Sequence, residues 1–273
     1  GLESPRLQAR QLLTKAIGHA PTWVYQHFQE AMPLDQVRRY EDLVTRRVTG
    51  EPLPYILGEI GFFGRPFFVD ERVLVPRPET EELVEHALKY ARRRLALGET
   101  VRSILDVGTG SGVLALSLAC ELPESRVVGV DRSWDALQVA RTNRERHDLE
   151  RRAFLVQGDL LAGIDLVADL IVANLPYIPS RQIDQLQVEV RREPRVALDG
   201  GDDGLAVYRR LLDQVSPILA ARGMMIAEIG ADQGDKAMRL ARESLPSDIA
   251  RVVPDLSGRD RFLVVERGAS VAG

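Results

Sequence analysis

Cysteine is almost absent: Cys120 stands alone in 273 residues. One cysteine can form no internal disulfide and no cysteine-based zinc site, so the chain suits a reducing cytoplasm. Histidine is also scarce. His19, His27, His86 and His147 are scattered, with no ligand spacing among them, and read as surface or satisfied side chains; no metal is expected. No apolar run approaches the roughly 20 residues that span a bilayer, so no membrane partner is expected. Residues Gly1 to Ala20 mix charge and polarity and lack the apolar core of a signal peptide. Nor is there an excess of positive charge. Thirty-six basic residues against 40 acidic ones give a net charge of -4. A domain that holds nucleic acid by counterion release is usually clearly basic, so stable nucleic-acid binding is not expected.

What is present divides into two textures. Residues 1–75 read as a small helical module followed by a hairpin. Ser4-Pro5 is a plausible helix start, and Leu7, Leu12, Leu13 and Ile17 recur near helical spacing. Leu34, Val37, Tyr40, Leu43, Val44 and Val48 predict a buried stripe on a later helix. The module carries nine basic and nine acidic side chains (Lys15 is its only lysine) and no chemistry of its own, which favours recognition of a protein over binding of nucleic acid. From Gly58 to Phe68, glycines and Pro66 interleave with Phe62, Phe63, Phe67 and Phe68, the pattern of a β-hairpin with packed aromatics.

Residues 76–273 alternate strand and helix. Pro78-Glu79-Thr80-Glu81 opens a helix with proline early and acids in the first turn. Strands are predicted at 103–107, 127–131, 153–157, 170–174, 224–229, 251–253 and 261–266, with helices at 112–121, 133–147, 203–220 and 233–244. Asp202-Asp203-Gly204 reads as the cap of the third of these helices, and Cys120 as a core residue. The βα alternation predicts a parallel sheet covered on both faces. The last two strands have no helix between them, so the seventh is expected to pair antiparallel.

Two segments carry the chemistry. Asp106-Val107-Gly108-Thr109-Gly110-Ser111-Gly112 runs from a strand through three alternate glycines into an apolar helix. Glycines there let backbone approach a ligand and aim free amides at it. Asp131 ends the second strand, where an acid accepts from ribose hydroxyls, and Asp159 follows the third, placed for an adenine amino group. Gly110-Ser111-Gly112-Val113-Leu114-Ala115 also satisfies a dinucleotide fingerprint. But Asp106, just before the first glycine, suits an amino-bearing ligand better than a pyrophosphate. Acids after three successive strands fit S-adenosylmethionine, which has an amino group, a ribose and an adenine but no phosphate.

The second segment, Asn174-Leu175-Pro176-Tyr177, ends the fourth strand on the same rim. A planar nitrogen is a poor nucleophile because its lone pair is delocalised. The Asn174 carbonyl and the following backbone carbonyl can each accept one of its N–H bonds, and Tyr177 can stack on the flat group.

Together these segments resemble the class I S-adenosylmethionine-dependent methyltransferases acting on planar nitrogen. More closely the chain resembles the bacterial release-factor glutamine N5-methyltransferases, the PrmC/HemK family. Glu51–Gly58, Val75–Glu81 and Glu193–Gly201 carry that likeness beyond the glycine loop. The resemblance implies an α/β fold: a small N-terminal helical bundle, a β-hairpin linker and a seven-stranded Rossmann-like domain. It implies methylation of the glutamine side-chain amide in the Gly-Gly-Gln motif of class 1 release factors, in the cytoplasm. Asp106, Gly108, Thr109, Gly110, Ser111, Gly112, Asp131, Asp159, Leu160 and Asn174 would bind the cofactor. Asn174, Pro176 and Tyr177 would be catalytic. Leu175 would join them around the substrate, with Leu74 and Arg77 lining the pocket. The family usually has proline where Leu175 stands, and Asn-Leu-Pro-Tyr is more typical of rRNA adenine dimethyltransferases. An adenine-N6 methyltransferase acting on RNA or DNA is therefore the alternative, with Arg151-Arg152 and Arg191-Arg192 as candidate contacts. A non-catalytic cofactor-binding protein is a third reading, which the intact Asn174 opposes. The net charge, the Val75–Glu81 segment and the N-terminal position of the extra module favour the release factor.

Overall fold

The computed structural model describes residues 4–27 and 29–268. Helices α1 (Pro5–Ile17), α2 (Pro21–Gln26), α3 (Leu34–Val48) and α4 (Leu53–Leu57) come first. Pro5 begins α1 as expected, but Ser4 lies at φ 47° and makes no side-chain cap. The expected stripe on α3 is only partly realised: Val37, Tyr40, Leu43 and Val44 are half-buried, while Leu34 and Val48 are exposed. The helix packs on α1, and the side chains of Leu34 and Val48 point away from that contact. The one fully buried residue of α3 is Arg47.

Strands β1 (Glu59–Phe62) and β2 (Arg65–Phe68) form the expected hairpin. Phe62 and Phe67 are buried and meet edge to face, their ring centroids 6.1 Å apart. Asn143 fastens the hairpin to the rest of the molecule. Its Oδ1 accepts from the Phe68 amide (2.6 Å), and its Nδ2 donates to the Phe68 carbonyl (2.9 Å) and to the Ser111 carbonyl (2.8 Å). The side chain is fully buried, and three backbone groups satisfy it.

After α5 (Pro78–Ala96) the chain alternates as β3 (Ser103–Val107), α6 (Val113–Glu121), β4 (Arg126–Asp131), α7 (Trp134–Arg146), β5 (Ala153–Gln157) and β6 (Ala168–Asn174). Then come α8 (Ala206–Ile218), β7 (Leu219–Glu228), α9 (Gly234–Ser244), β8 (Ile249–Pro254) and β9 (Asp260–Glu266). The seven strands of the main sheet run in the order β5-β4-β3-β6-β7-β9-β8. Successive residues feed opposite cores. Ile104, Leu170, Val172 and Ile226 face the side of α5 and α6; Leu105, Ile171, Ala173 and Ala227 face the side of α8 and α9. Both faces are covered, which is why these strands read as unbroken apolar runs.

The last strand inserts between β7 and β8, antiparallel to both. Its Phe262-Leu263-Val264-Val265 is entirely buried, as an inner strand requires, whereas β8 carries Arg251 and Pro254 at the edge. Asp203 does not cap α8 as expected. The helix starts at Ala206, and Asp203 Oδ1 accepts from the Leu205 amide one step upstream while pairing with Arg209. Cys120 is half-buried against the core. Among the described residues no helix is long and apolar enough to cross a membrane, and no group of His, Cys, Asp or Glu could hold a metal.

Candidate active site

Strand order reverses at β3, where β4 and β6 lie on either side, and such a switch point opens a crevice at the strands' carboxyl ends. A cavity of about 420 Å³ occupies it. Gly108, Thr109, Gly110 and Ser111 line it from the end of β3; Asp131 lines it from β4, and Asp159 and Leu160 from the loop after β5. Asn174, Leu175 and Pro176 line it from β6, and Leu74 from the segment before α5. The structure therefore gathers most of the sequence-predicted set.

Four expected residues are not in the lining: Asp106, Gly112, Tyr177 and Arg77. Asp106 is fully buried beneath the loop. Its Oδ2 accepts from Thr109 Oγ1 (2.6 Å) and the Ala115 amide (3.0 Å), bracing strand against helix, and its Oδ1 is buried without a partner. Burial pushes its carboxyl up to about 7, against the pull of those two donors. Gly112 sits at φ 84° as the residue before α6, where a Cβ would come within 3.1 Å of Leu116. Tyr177 packs on the core beside α8 and α9. Arg77 turns away to an ion pair with Glu193 (2.6 Å), whose other oxygen accepts from the Val75 amide (2.9 Å). Glu193 is 5% exposed, so this pair welds the residues before α5 to the loop that closes the cavity.

The glycine loop works differently from the expectation of free amides. The amides of Gly108 and Thr109 donate to the Val130 carbonyl, that of Gly110 to Asp131 Oδ2 (2.9 Å), and that of Gly112 to the Thr109 carbonyl. The glycines instead supply positive φ and close approach. At Gly108 (φ 75°) a Cβ would lie 2.7 Å from Leu175 Cδ2. Leu175 is thus buried against the first glycine and is 4% exposed. Asp131 accepts one backbone donor on each oxygen, from Gly110 and from Ser133, which leaves lone pairs over for a ligand's hydroxyls. Burial raises its carboxyl, partly offset by those amides. Asp159 pairs with Arg210, which also lines the cavity. Leu160 adopts φ 56°, a left-handed conformation costly for leucine, and strain of this kind gathers at ligand sites.

The best-defined part is around Asn174. Its Nδ2 donates to Thr80 Oγ1 (3.1 Å), and Thr80 Oγ1 donates to Glu228 Oε2 (2.7 Å). Tyr177 Oη donates to Glu228 Oε1 at 3.3 Å. Glu228 is 1% exposed; burial raises its carboxyl, opposed by Thr80, Arg261 and Tyr177. As a carboxylate it only accepts, so the Thr80 proton points to it and the Thr80 lone pair faces Asn174. That fixes which end of the Asn174 amide is which: Oδ1 is left toward the cavity. The Tyr208 hydroxyl reaches both the Leu175 and Glu228 carbonyls. It has one proton for two acceptors, and a carbonyl has two lone pairs, so Leu175 O keeps capacity.

Thr80 and Arg210 were not singled out in the sequence. Thr80 had a signal, lying inside the Pro78–Glu81 helix start; Arg210 had none beyond being one arginine among many. Glu228, at the end of β7, stands behind the lining.

Residues 1–58 match the PrmC N-terminal domain family, and residues 87–220 the methyltransferase small domain family. A release factor glutamine methyltransferase of Caulobacter vibrioides is 39% identical over 266 residues, covering 97% of this chain and 90% of that protein. The chain belongs to the release factor glutamine methyltransferase family. Its relative in Moorella thermoacetica is 41% identical over 268 residues, covering 98% of this chain and 93% of that protein. Among solved structures, a methyltransferase from Pyrococcus furiosus superimposes with a TM-score of 0.55 at 15% identity, over 85% of this chain and 98% of that one, a likeness of fold.

Proposed function

We propose that this enzyme transfers a methyl group from S-adenosylmethionine to the side-chain amide nitrogen of the glutamine in the Gly-Gly-Gln motif of class 1 release factors. Residues 1–75 would serve as the recognition module and 76–273 as the catalytic domain. The observation that carries the reading is the fixed polarity of Asn174: with Nδ2 committed to Thr80, Oδ1 presents an acceptor, which is what an incoming –NH₂ needs.

The residues present fit the cofactor. The cavity is within the usual range for such ligands. Asp131 retains acceptor capacity for a ribose, and Asp159 and Leu160 would flank the base, with Gly108 to Ser111 holding the methionine part. The buried Asp106 Oδ1, which has no partner, leaves an acceptor beneath that end of the site that suits an ammonium group. When bound, S-adenosylmethionine supplies an electrophilic methyl group on a sulfonium.

The chain's part is orientation and electrostatics. Asn174 Oδ1 and the Leu175 carbonyl each accept one hydrogen of the substrate amide. Two acceptors hold the flat group in one plane, with a face of the nitrogen toward the methyl. Each also draws a hydrogen outward, so the nitrogen bears less positive charge as its new bond forms; one of those hydrogens is the proton the product sheds. Pro176 stiffens the turn, and Tyr177 holds Glu228. Preorganised acceptors of this kind need no metal and no covalent intermediate.

The decisive experiment is incubation with methyl-labelled S-adenosylmethionine and either a release factor or RNA. Label is expected on the release factor's glutamine. Label on RNA alone would establish the adenine-N6 alternative.

A further inference from the structure

The helices α1 to α4 contribute nothing to the lining of the cavity, whose first lining residue is Arg72. A protein seated on them must act on the chemistry through something else. The loop of residues 179–199 is built for that. Its two ends meet: the Ile178 amide donates to the Leu198 carbonyl, the Gly200 amide donates to the Ile178 carbonyl, and Ile178 bridges Asp199. It is a closed strap, and its base adjoins Tyr177. Pro194, Arg195, Val196 and Ala197 form part of the cavity wall.

The outer part of this strap is gripped by the helical module. Arg47 donates to Gln8 Oε1 (2.7 Å), to the Glu51 carbonyl (3.2 Å) and to Glu189 Oε1 (2.6 Å). One guanidinium thus joins α1, the turn after α3 and the strap. Arg192 donates to the Thr49 carbonyl (3.2 Å), and Val188 lies so close to Gly50 that a Cβ there would sit 2.4 Å from it. Arg47 is 3% exposed. Glu189 is partly exposed, so the pair is buried on the arginine side alone. Such a pair is poor glue, since desolvation offsets its attraction; its better-attested use is to fix one register.

We propose that Arg47 and Glu189 relay substrate docking to the active site, with Arg47 a positioning residue that sets the strap, and through it the cavity wall, when a release factor occupies the helical module. This rests on the release-factor reading above.

The test uses Glu189→Ala and Glu189→Gln in the full chain, because Glu189 is partly exposed and its loss leaves the Arg47 contacts within the module in place. Each is assayed on an intact release factor and on a short peptide containing Gly-Gly-Gln, which cannot reach the helices. Glu189→Ala is expected to lower kcat on the release factor about tenfold, the scale of a coupling contact, with KM within about twofold. The peptide rate, cofactor affinity and Tm should be unchanged, and Glu189→Gln, which keeps one acceptor, should recover most of the loss. An equal loss on peptide and protein would reduce the strap to a plain wall of the cavity, and no loss on either would make the contact inert; both overturn the relay. If the unaltered enzyme methylates neither substrate, the release-factor reading fails and the relay falls with it.

Discussion

Asn174→Ala is expected to lower kcat by at least about a hundredfold while leaving cofactor affinity nearly intact. The magnitude is that of one preorganised acceptor aimed at a reacting group. The selectivity follows from position. Asn174 lies at the end of β6, across the cavity from Asp131 and Asp159, the residues proposed to meet the cofactor's ribose and base. Its side chain bonds only Thr80 among the described residues. Its removal therefore leaves the glycine loop and its bonds to Val130 and Asp131 in place. Single-turnover rates with saturating cofactor, together with a direct titration of cofactor binding, separate the two quantities. Unchanged turnover would remove Asn174 from the mechanism.

The second large effect belongs to the residues that orient Asn174, Thr80 and Glu228. Thr80→Val keeps the volume but removes the hydroxyl that tells Asn174 which way to face, and a loss of about tenfold in kcat is expected, the worth of one hydrogen bond. Thr80→Ser restores the hydroxyl and should recover most of the rate; a purely steric role would predict the opposite ranking. Glu228 adds a pH dependence with a definite sign. Burial raises its carboxyl above the usual range, so over the interval between its unfolded and folded values the native state binds the proton that the unfolded state has already lost. Stability attributable to Glu228 is thus greater below that interval and diminishes as pH rises through it. Activity should run the other way. Protonated, Glu228 can donate to Thr80, whose own proton is then free to turn toward Asn174 and loosen the amide's orientation. The rate is expected to fall on the acid side. Glu228→Gln should be slow at all pH values, lack that acid limb, and melt no lower than the native enzyme. A variant that loses stability but not rate would show Glu228 to be structural.

Most of the sheet was legible because its inner strands had to bury both faces. Ile104 and Leu105, or Val172 and Ala173, are apolar on either side, and only a doubly covered strand explains that. The place of β9 was not legible, since Phe262–Val265 announces burial but not between which neighbours. In the site, backbone-dictated features were readable: glycines needing positive φ, acids at strand ends, the Asn-x-Pro turn. What could not be read was which way a side chain turns. Arg77 stands beside the cavity in sequence yet spends its charge on Glu193, and Asp106 precedes the glycines yet lies beneath them. Thr80 and Glu228 are 148 residues apart, and only the fold brings their oxygens within 2.7 Å. Leu175 is the instructive exception. Its letter points toward RNA, but the role proposed for it belongs to its carbonyl, while its side chain fills the space that Gly108 leaves open.

Asn143 has a consequence for the protein's fluctuations. The same buried amide closes the peptide group of Phe68 in the hairpin and the carbonyl of Ser111 in the glycine loop. Neither element can open without stranding polar atoms of the other, so the two should exchange their amide hydrogens as one cooperative unit. A ligand that occupies the loop then protects a strand it does not touch. At about a hundred times its dissociation constant, the cofactor should slow exchange of the Phe68 amide about a hundredfold, by mass action alone.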